Sequence, residues 1–357
     1  FFFAYGIGQV VNGLLCKKYN KKYIIPFALS ISSIINLSVF FGVPFSWYKY
    51  LWLINGFIQS TLWPSLVSVV STNLKTENLK KGVLIMATPV SVGTIIIYGL
   101  SSVISLSGNF KITFIIASVC MLAVAVSWFF SYDKNTENIE VEKIITDKND
   151  LKKVRIEKSA IILVVILAIF AIINNLTKDG LQTWVPAILR ENYGLGDSLS
   201  IILSLVLPIL GVFGAIVSTF LNRWIKNYIY LSAFLYLIAT IFLVLVLIKL
   251  RTSAWITVLL CFGMIVLLMH GINNVITNLM PIVMRDKINS GLIVGVLNGF
   301  CYVGSTISSY GLGAIADRGG WNNVFILLTI LSVVPIIISF IYFIVKKLMK
   351  KDKEDYE

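Results

Sequence analysis

Eleven long apolar runs, each closed by a charged or turn-rich break, leave this chain few ways to fold. They fall near residues 1–16, 23–43, 49–73, 82–106, 110–132, 159–189, 198–221, 228–248, 254–284, 289–315 and 321–346. A helix needs about 20 mostly apolar residues to cross the hydrocarbon core of a bilayer. Inside lipid every backbone polar group must be bonded within the protein, so apolar runs of this length are expected to be spanning helices. Composition points the same way. Of the residues, 57% are hydrophobic and 13% charged, against roughly 45–50% and 25% in a soluble domain. An all-α membrane protein with eleven spans is the expectation. The chain opens on Phe1, Phe2, Phe3, Ala4, Tyr5 and Gly6, without an initiator Met and already inside an apolar run. One further helix is therefore expected upstream, and the opening residues do not read as a cleavable signal peptide.

The net charge of +13 is distributed as a membrane orientation signal, not as a nucleic-acid footprint. When residues 17–22 are placed in the cytoplasm and the sides alternate, residues 74–81, 133–158, 222–227, 285–288 and the C-terminus share that side. Twenty-three of the 30 Lys and Arg residues then lie on the cytoplasmic side. Six lie outside: Lys49, Lys111, Arg190, Lys249, Arg251 and Arg318. Excess positive charge marks the inner side of a membrane protein. No basic stripe interleaved with aromatics accompanies a polar domain, which excludes nucleic acid as a partner. The abundance of Ile, Asn and Lys fits a bacterium with an AT-rich genome, and the cell membrane is the expected location.

The longest polar stretch, residues 133–158, divides the chain into residues 1–132, with five runs, and residues 159–346, with six; residues 347–357 form a cytoplasmic tail. The halves echo one another. GIGQVVNGLLCKKYNKKYII from Gly6 aligns without gaps on GVFGAIVSTFLNRWIKNYIY from Gly211, pairing Lys18 with Arg223, Lys21 with Lys226 and Tyr23 with Tyr228. A second echo sets Gly82 against Gly291, and Val92, Gly93 and Thr94 against Val303, Gly304 and Ser305. Such repeats characterise transporters built from duplicated bundles. The plan is two six-helix halves, the first helix lying outside this sequence.

An ionisable residue inside a span is a functional candidate by default, because charge in lipid is costly. Lys178 and Asp179 are the only charges well inside an apolar run. Asn174 and Lys178 are four residues apart and share a helical face, with Asn175 beside them. Lys178 would anchor an anionic substrate, and Asp179 would be a coupling carboxylate or a helix-pairing group. A direct Lys178–Asp179 pair is disfavoured by the ~100° between neighbouring side chains on a helix. Weaker cavity candidates are Gln9, Gln59, Asn175 and His270, the only histidine. Asn12 and Asn55 read as interhelical glue. Gly291, Gly295 and Gly299 form a small-residue stripe suited to close helix contact. The four cysteines, Cys16, Cys120, Cys261 and Cys301, have no metal or redox spacing and read as small apolar side chains. No metal or cofactor is expected. Without paired carboxylates, a nucleophile elbow or a phosphate-binding glycine loop on a soluble domain, no enzyme is expected either.

The run Asn55, Gly56, Phe57, Ile58, Gln59, Ser60, Thr61, Leu62, Trp63, Pro64 resembles the Gly-x-x-Gln-Gly-x-Gly-Trp-Pro stretch on the fourth helix of the organophosphate:phosphate antiporter family, a branch of the major facilitator superfamily. Gly180, Trp184 and Pro186 are similar to that family's Gly-x-x-x-Trp-x-Pro on its seventh helix. Gly311 through Ala316, Asp317, Arg318, Gly319, Gly320 and Trp321 resemble its connection between helices eleven and twelve. The resemblance implies a major facilitator fold with the first run here as the second helix, and a cavity between two six-helix halves. It also implies exchange of glycerol-3-phosphate or a sugar phosphate for phosphate by alternating access.

The family's phosphate-holding basic residue, two positions before the Gly-x-x-x-Trp-x-Pro stretch, falls on Lys178. The sequence departs from the pattern elsewhere. Gln9 stands where glycerol-3-phosphate carriers have a lysine. No histidine occurs from Met86 to Ser91, and Gly13 to Lys18 lacks the acid of the superfamily's Gly-x-x-x-Asp-Arg loop. The expected function is secondary transport of a small anionic metabolite by a monomer. The alternatives are a proton-coupled organic-anion symporter and a non-transporting membrane receptor for a phosphorylated sugar.

Overall fold

The computed structural model describes residues 1–15, 19–73, 89–132, 158–280 and 290–354. Residues 133–157 of the polar stretch, Cys16, the clusters at Lys17–Lys18 and Lys75–Lys81, Gly82, and Arg285 and Lys287 lie outside the described residues. The described residues form helices joined by short turns and contain no strand. Two compact units result, residues 1–155 and 156–357.

The first unit contains α1 (Phe2–Leu15), α2 (Lys21–Phe40), α3 (Phe45–Gln59), α4 (Leu62–Asn73), α5 (Pro89–Ser105) and α6 (Lys111–Ser131). The second contains α7 (Lys158–Tyr193), α8 (Asp197–Leu203), α9 (Val206–Leu221), α10 (Tyr228–Lys249), α11 (Trp255–Asn274), α12 (Ser290–Ile307) and α13 (Gly313–Glu354). Single π-helical turns, Val275–Leu279 and Ser308–Leu312, extend α11 and α12. Among the described residues eight helical stretches are long and apolar enough to cross a membrane. The run near 49–73 bends at Ser60 and Thr61, between α3 and α4. The last two runs join into one helical stretch interrupted at Gly320, whose φ of 73° and ψ of 169° break the helix. Glycine adopts that region of backbone space, which is essentially closed to other residues and costs them on the order of 1–3 kcal/mol.

Each unit closes its bundle through polar locks inside an apolar surround. In the first unit, Ser33 Oγ on α2 donates to the Ser118 carbonyl on α6 at 3.0 Å, and Ser118 Oγ lies 3.1 Å from the Ser33 carbonyl. In the second, Thr240 Oγ1 on α10 and Ser332 Oγ on α13 meet at 2.8 Å. The buried Tyr236 hydroxyl donates to the Phe170 carbonyl at 2.7 Å and joins α10 to α7. Phe262 and Phe325 stack at 5.3 Å between α11 and α13. Ile161, Ile162 and Val165 on α7, like many large apolar side chains, are exposed. That outward apolar face is what a lipid-solvated helix requires.

Small residues decide where helices touch. At Gly304 of α12 a Cβ would collide with the Ile172 carbonyl oxygen and lie 2.9 Å from the Leu176 nitrogen on α7. Backbone there meets backbone. Gly295, the middle of the Gly291–Gly295–Gly299 stripe, is different, since no described atom lies within 4 Å of a Cβ built there. Gly304→Ala should therefore lower detergent-solubilised stability by about 1–3 kcal/mol, the usual cost of overpacking. Gly295→Ala should hold or raise it through helix propensity. Paired thermal unfolding measurements check this, and equal melting temperatures would contradict the crossing.

Candidate functional site

Helix α7 carries Asn174, Asn175, Lys178 and Asp179 at its middle, surrounded by buried Ile173, Leu176 and Leu181. Apolar residues on both sides in sequence keep the helix in the bundle, and the polar group is thereby drawn in with it. Lys178 and Asp179 side chains are 12% and 16% exposed. Their charged ends meet, with Lys178 Nζ 3.4 Å from Asp179 Oδ1. The flexible Lys stem bridges the angle that separates adjacent helical positions, contrary to the sequence-based expectation against a direct pair.

The pair sits in a shell of neutral polar groups. Lys178 Nζ donates to Asn175 Oδ1 at 3.4 Å, and Asn174 Nδ2 donates to the same oxygen at 3.1 Å. Asn175 Nδ2 faces Asp179 Oδ2 at 3.4 Å and Ser305 Oγ at 3.3 Å. Ser305 Oγ on α12 donates to Asp179 Oδ2, and Cys301 O is 3.1 Å from the same hydroxyl. Two of the three ammonium donors of Lys178 thus face acceptors, and Asp179 has a partner for each oxygen. Among the described residues, the buried Asn174 Oδ1 and Thr177 Oγ1 have no hydrogen-bond partner. Buried polar atoms are usually paired, so these two are exceptions on the same stretch of α7 as the ion pair. The chemistry available is electrostatic: an ammonium to hold an anion, a carboxylate to oppose it, and amides to orient it.

Ser305 is the group that sequence reasoning missed. Its only signal there is the repeat echo Val303, Gly304, Ser305. The close crossing at Gly304 brings its hydroxyl to Asp179.

His270 lies one helical turn along the site. Gln182, four residues after Lys178 and so on its face, has Nε2 3.4 Å from His270 Nε2. The half-buried His270 ring covers Gly211 and Gly214 on α9, where added Cβ atoms would lie 2.8 Å from its Cδ2 and 2.7 Å from its Cβ. His270 therefore serves the α9–α11 crossing as well as facing α7. Asn274 Nδ2 locks the same crossing by donating to Ser218 Oγ at 3.0 Å.

Gln9 and Gln59 belong to the first unit. Half-buried Gln9 faces the Ser60 carbonyl at 3.5 Å, and Gln59 Nε2 donates to Asn55 Oδ1 at 3.1 Å along α3. Asn12 Nδ2 donates to Ser60 Oγ at 2.7 Å, fastening α1 to the end of α3. Among the described residues no cluster of His, Cys, Asp and Glu could hold a metal. The described cysteines, Cys120, Cys261 and Cys301, are free.

Opening a buried ion pair from one side is costly because it strands the other charge, by about 3–5 kcal/mol, whereas neutralising both partners is often tolerated. Lys178→Met should accordingly destabilise the protein by roughly 3 kcal/mol, and Lys178→Met with Asp179→Asn should recover most of that loss. Thermal unfolding of the two variants checks the pairing; an additive loss would contradict it.

The family model for the Major Facilitator Superfamily matches residues 1–285. The chain is 27% identical over 160 residues to Sugar phosphate exchanger 3 of Bos taurus, covering 42% of this chain and 31% of that protein. It is 26% identical over 160 residues to the Homo sapiens protein of that name, with the same coverage. The matches thus span about a third of the length of those relatives. Among solved structures, a bacterial homolog to the human lysosomal transporter Spinster, inward-facing and occupied, superposes with a TM-score of 0.71 at 13% identity, covering 95% of this chain and 86% of that one. A D-xylose-proton symporter gives a TM-score of 0.71 at 12% identity, covering 94% and 85%. At these identities the structural likeness speaks for the fold alone.

Proposed function

The chain belongs to the Major Facilitator Superfamily, and we propose that it carries a sugar phosphate or glycerol-3-phosphate across its membrane by alternating access. Lys178 is the cation that holds the phosphoryl group, in exchange for inorganic phosphate on the return. The observation that carries this reading is an ammonium group in the middle of an apolar helix, facing Asn175 and Asp179, with Asn174 bonded to Asn175 behind them. A positive charge kept in low-dielectric surroundings interacts far more strongly with an anion than it would in water. The name of the relatives, sugar phosphate exchanger, supports the substrate class.

The multi-pass fold works in this proposal as two halves, residues 1–132 and residues 159–346. The lysine-rich loops face the cytoplasm, following the positive-inside distribution. Asn175 and His270 accompany Lys178 in the second half, and Gln9 and Gln59 are the candidate amide donors of the first. Lys offers a point charge, not the bidentate fork of Arg. Selectivity among phosphorylated compounds therefore falls to the neutral amides, which recognise the organic part. The protein acts as a monomer and needs no cofactor.

The test is transport in proteoliposomes loaded with phosphate, using the intact protein and labelled glucose-6-phosphate and glycerol-3-phosphate. Uptake should depend on internal phosphate and fall at least ~100-fold in Lys178→Ala, as loss of a charge-assisted contact worth ~3 kcal/mol implies. Binding without uptake would identify a receptor instead. Uptake driven by a proton gradient and indifferent to internal phosphate would identify an organic-anion symporter.

A further inference from the structure

Resting on the reading of Lys178 as the anion anchor, we infer that Asp179 is a built-in competitor for that anchor. Ser305 is the positioning residue that sets how strongly Asp179 competes. Each oxygen of the carboxylate has a different job. Oδ1 faces Lys178 Nζ at 3.4 Å, and Oδ2 accepts from Ser305 Oγ and faces Asn175 Nδ2 at 3.4 Å. The ammonium and carboxylate together carry no net charge. An incoming anion therefore meets a neutralised pair, and must draw Lys178 away from Asp179 to bind.

Asp179 can release the lysine without being left bare. Ser305 and Asn175 already hold its other oxygen, and a carboxylate held by hydrogen bonds keeps its charge with less help from a cation. Ser305 is fully buried, and the backbone contact at Gly304 fixes α12 against α7 one residue away. The hydroxyl is therefore held at the carboxylate by two helices. Without Ser305, Asp179 would rely more on Lys178, and the ion pair would become harder to open. Asp179 thus keeps anion binding reversible, which an exchanger needs because its cargo must leave as readily as it enters. Its strength as a competitor sets substrate affinity.

Equilibrium binding of labelled inorganic phosphate to the purified full chain in detergent tests this, with wild type, Lys178→Ala, Asp179→Asn, Ser305→Ala and the double variant of the last two. Asparagine keeps the shape and hydrogen-bonding capacity at position 179 but removes the competing charge. Asp179→Asn should bind phosphate about tenfold tighter and Ser305→Ala about threefold weaker, shifts of ~1.4 and ~0.6 kcal/mol. In the Asp179→Asn background, Ser305→Ala should have no further effect on affinity, because the charge it positions is gone. A merely structural serine would weaken binding equally in both backgrounds, and that result overturns its role.

Loss of binding in Lys178→Ala, with Asp179→Asn no tighter than wild type, sinks the competitor and leaves the anchor standing. Wild-type affinity in Lys178→Ala, or no phosphate binding by the wild type, sinks the anchor itself and the inference with it. If Asp179→Asn does not fold, unchanged affinity in Ser305→Ala still overturns the proposal.

Discussion

A charge placed in the middle of an apolar helix must find its compensation inside the protein, and the site of the second unit is organised by that requirement. Lys178 meets Asp179, Asp179 meets Ser305 and Asn175, and Asn175 also meets Asn174 and Lys178. No member of the group is free to change alone. The desolvation cost of the two ions is met by a local network spanning α7 and α12, and this ties the position of α12 to the state of the ion pair.

The helix crossings follow from the same shortage of solvent. Between helices in lipid the hydrophobic effect offers little attraction, so close backbone approach and short polar contacts do the fastening. The two units solve this alike. In the first, Asn12 on α1 reaches Ser60 beyond α3. In the second, Asn274 on α11 reaches Ser218 on α9. The chemistry is the same, with the amide and the hydroxyl on opposite partners. Sequence alignment of Gly6 onto Gly211 matches α1 with α9, and each of these helices enters such a crossing.

Much of the fold is legible in the sequence because lipid imposes a length and an apolar composition on every span. The runs near 110–132 and 228–248 match α6 and α10 almost to the residue. The break at Ser60 and Thr61 and the π turns are less visible, because they alter backbone hydrogen bonding without interrupting apolar character. At the site, Lys178 and Asp179 stand out by charge, and their conspicuousness needs no structure. Ser305 does not stand out, since a serine in a membrane helix is ordinarily satisfied by its own backbone, as Thr306 is by the Tyr302 carbonyl. The importance of Ser305 comes from a partner 126 residues away in sequence. The ion pair was hidden by a different fact: helical spacing describes Cβ directions, while a lysine ammonium lies several bonds beyond its Cβ.

The π turn at Ser308–Leu312 gives α12 a change of phase. A π turn holds one residue more than the α-helical path it replaces, which rotates everything beyond it by about 100° relative to the preceding stretch. The Trp184 indole donates to the Ser308 carbonyl within that turn at 3.1 Å, and its ring packs where Gly313 has no side chain. A helical wheel drawn through Ser305 therefore does not continue past Gly313. Substitutions on the two sides of the turn belong to separate wheels, and a relative with one residue fewer at this point would present a different face of its following helix without any change in that helix's own sequence.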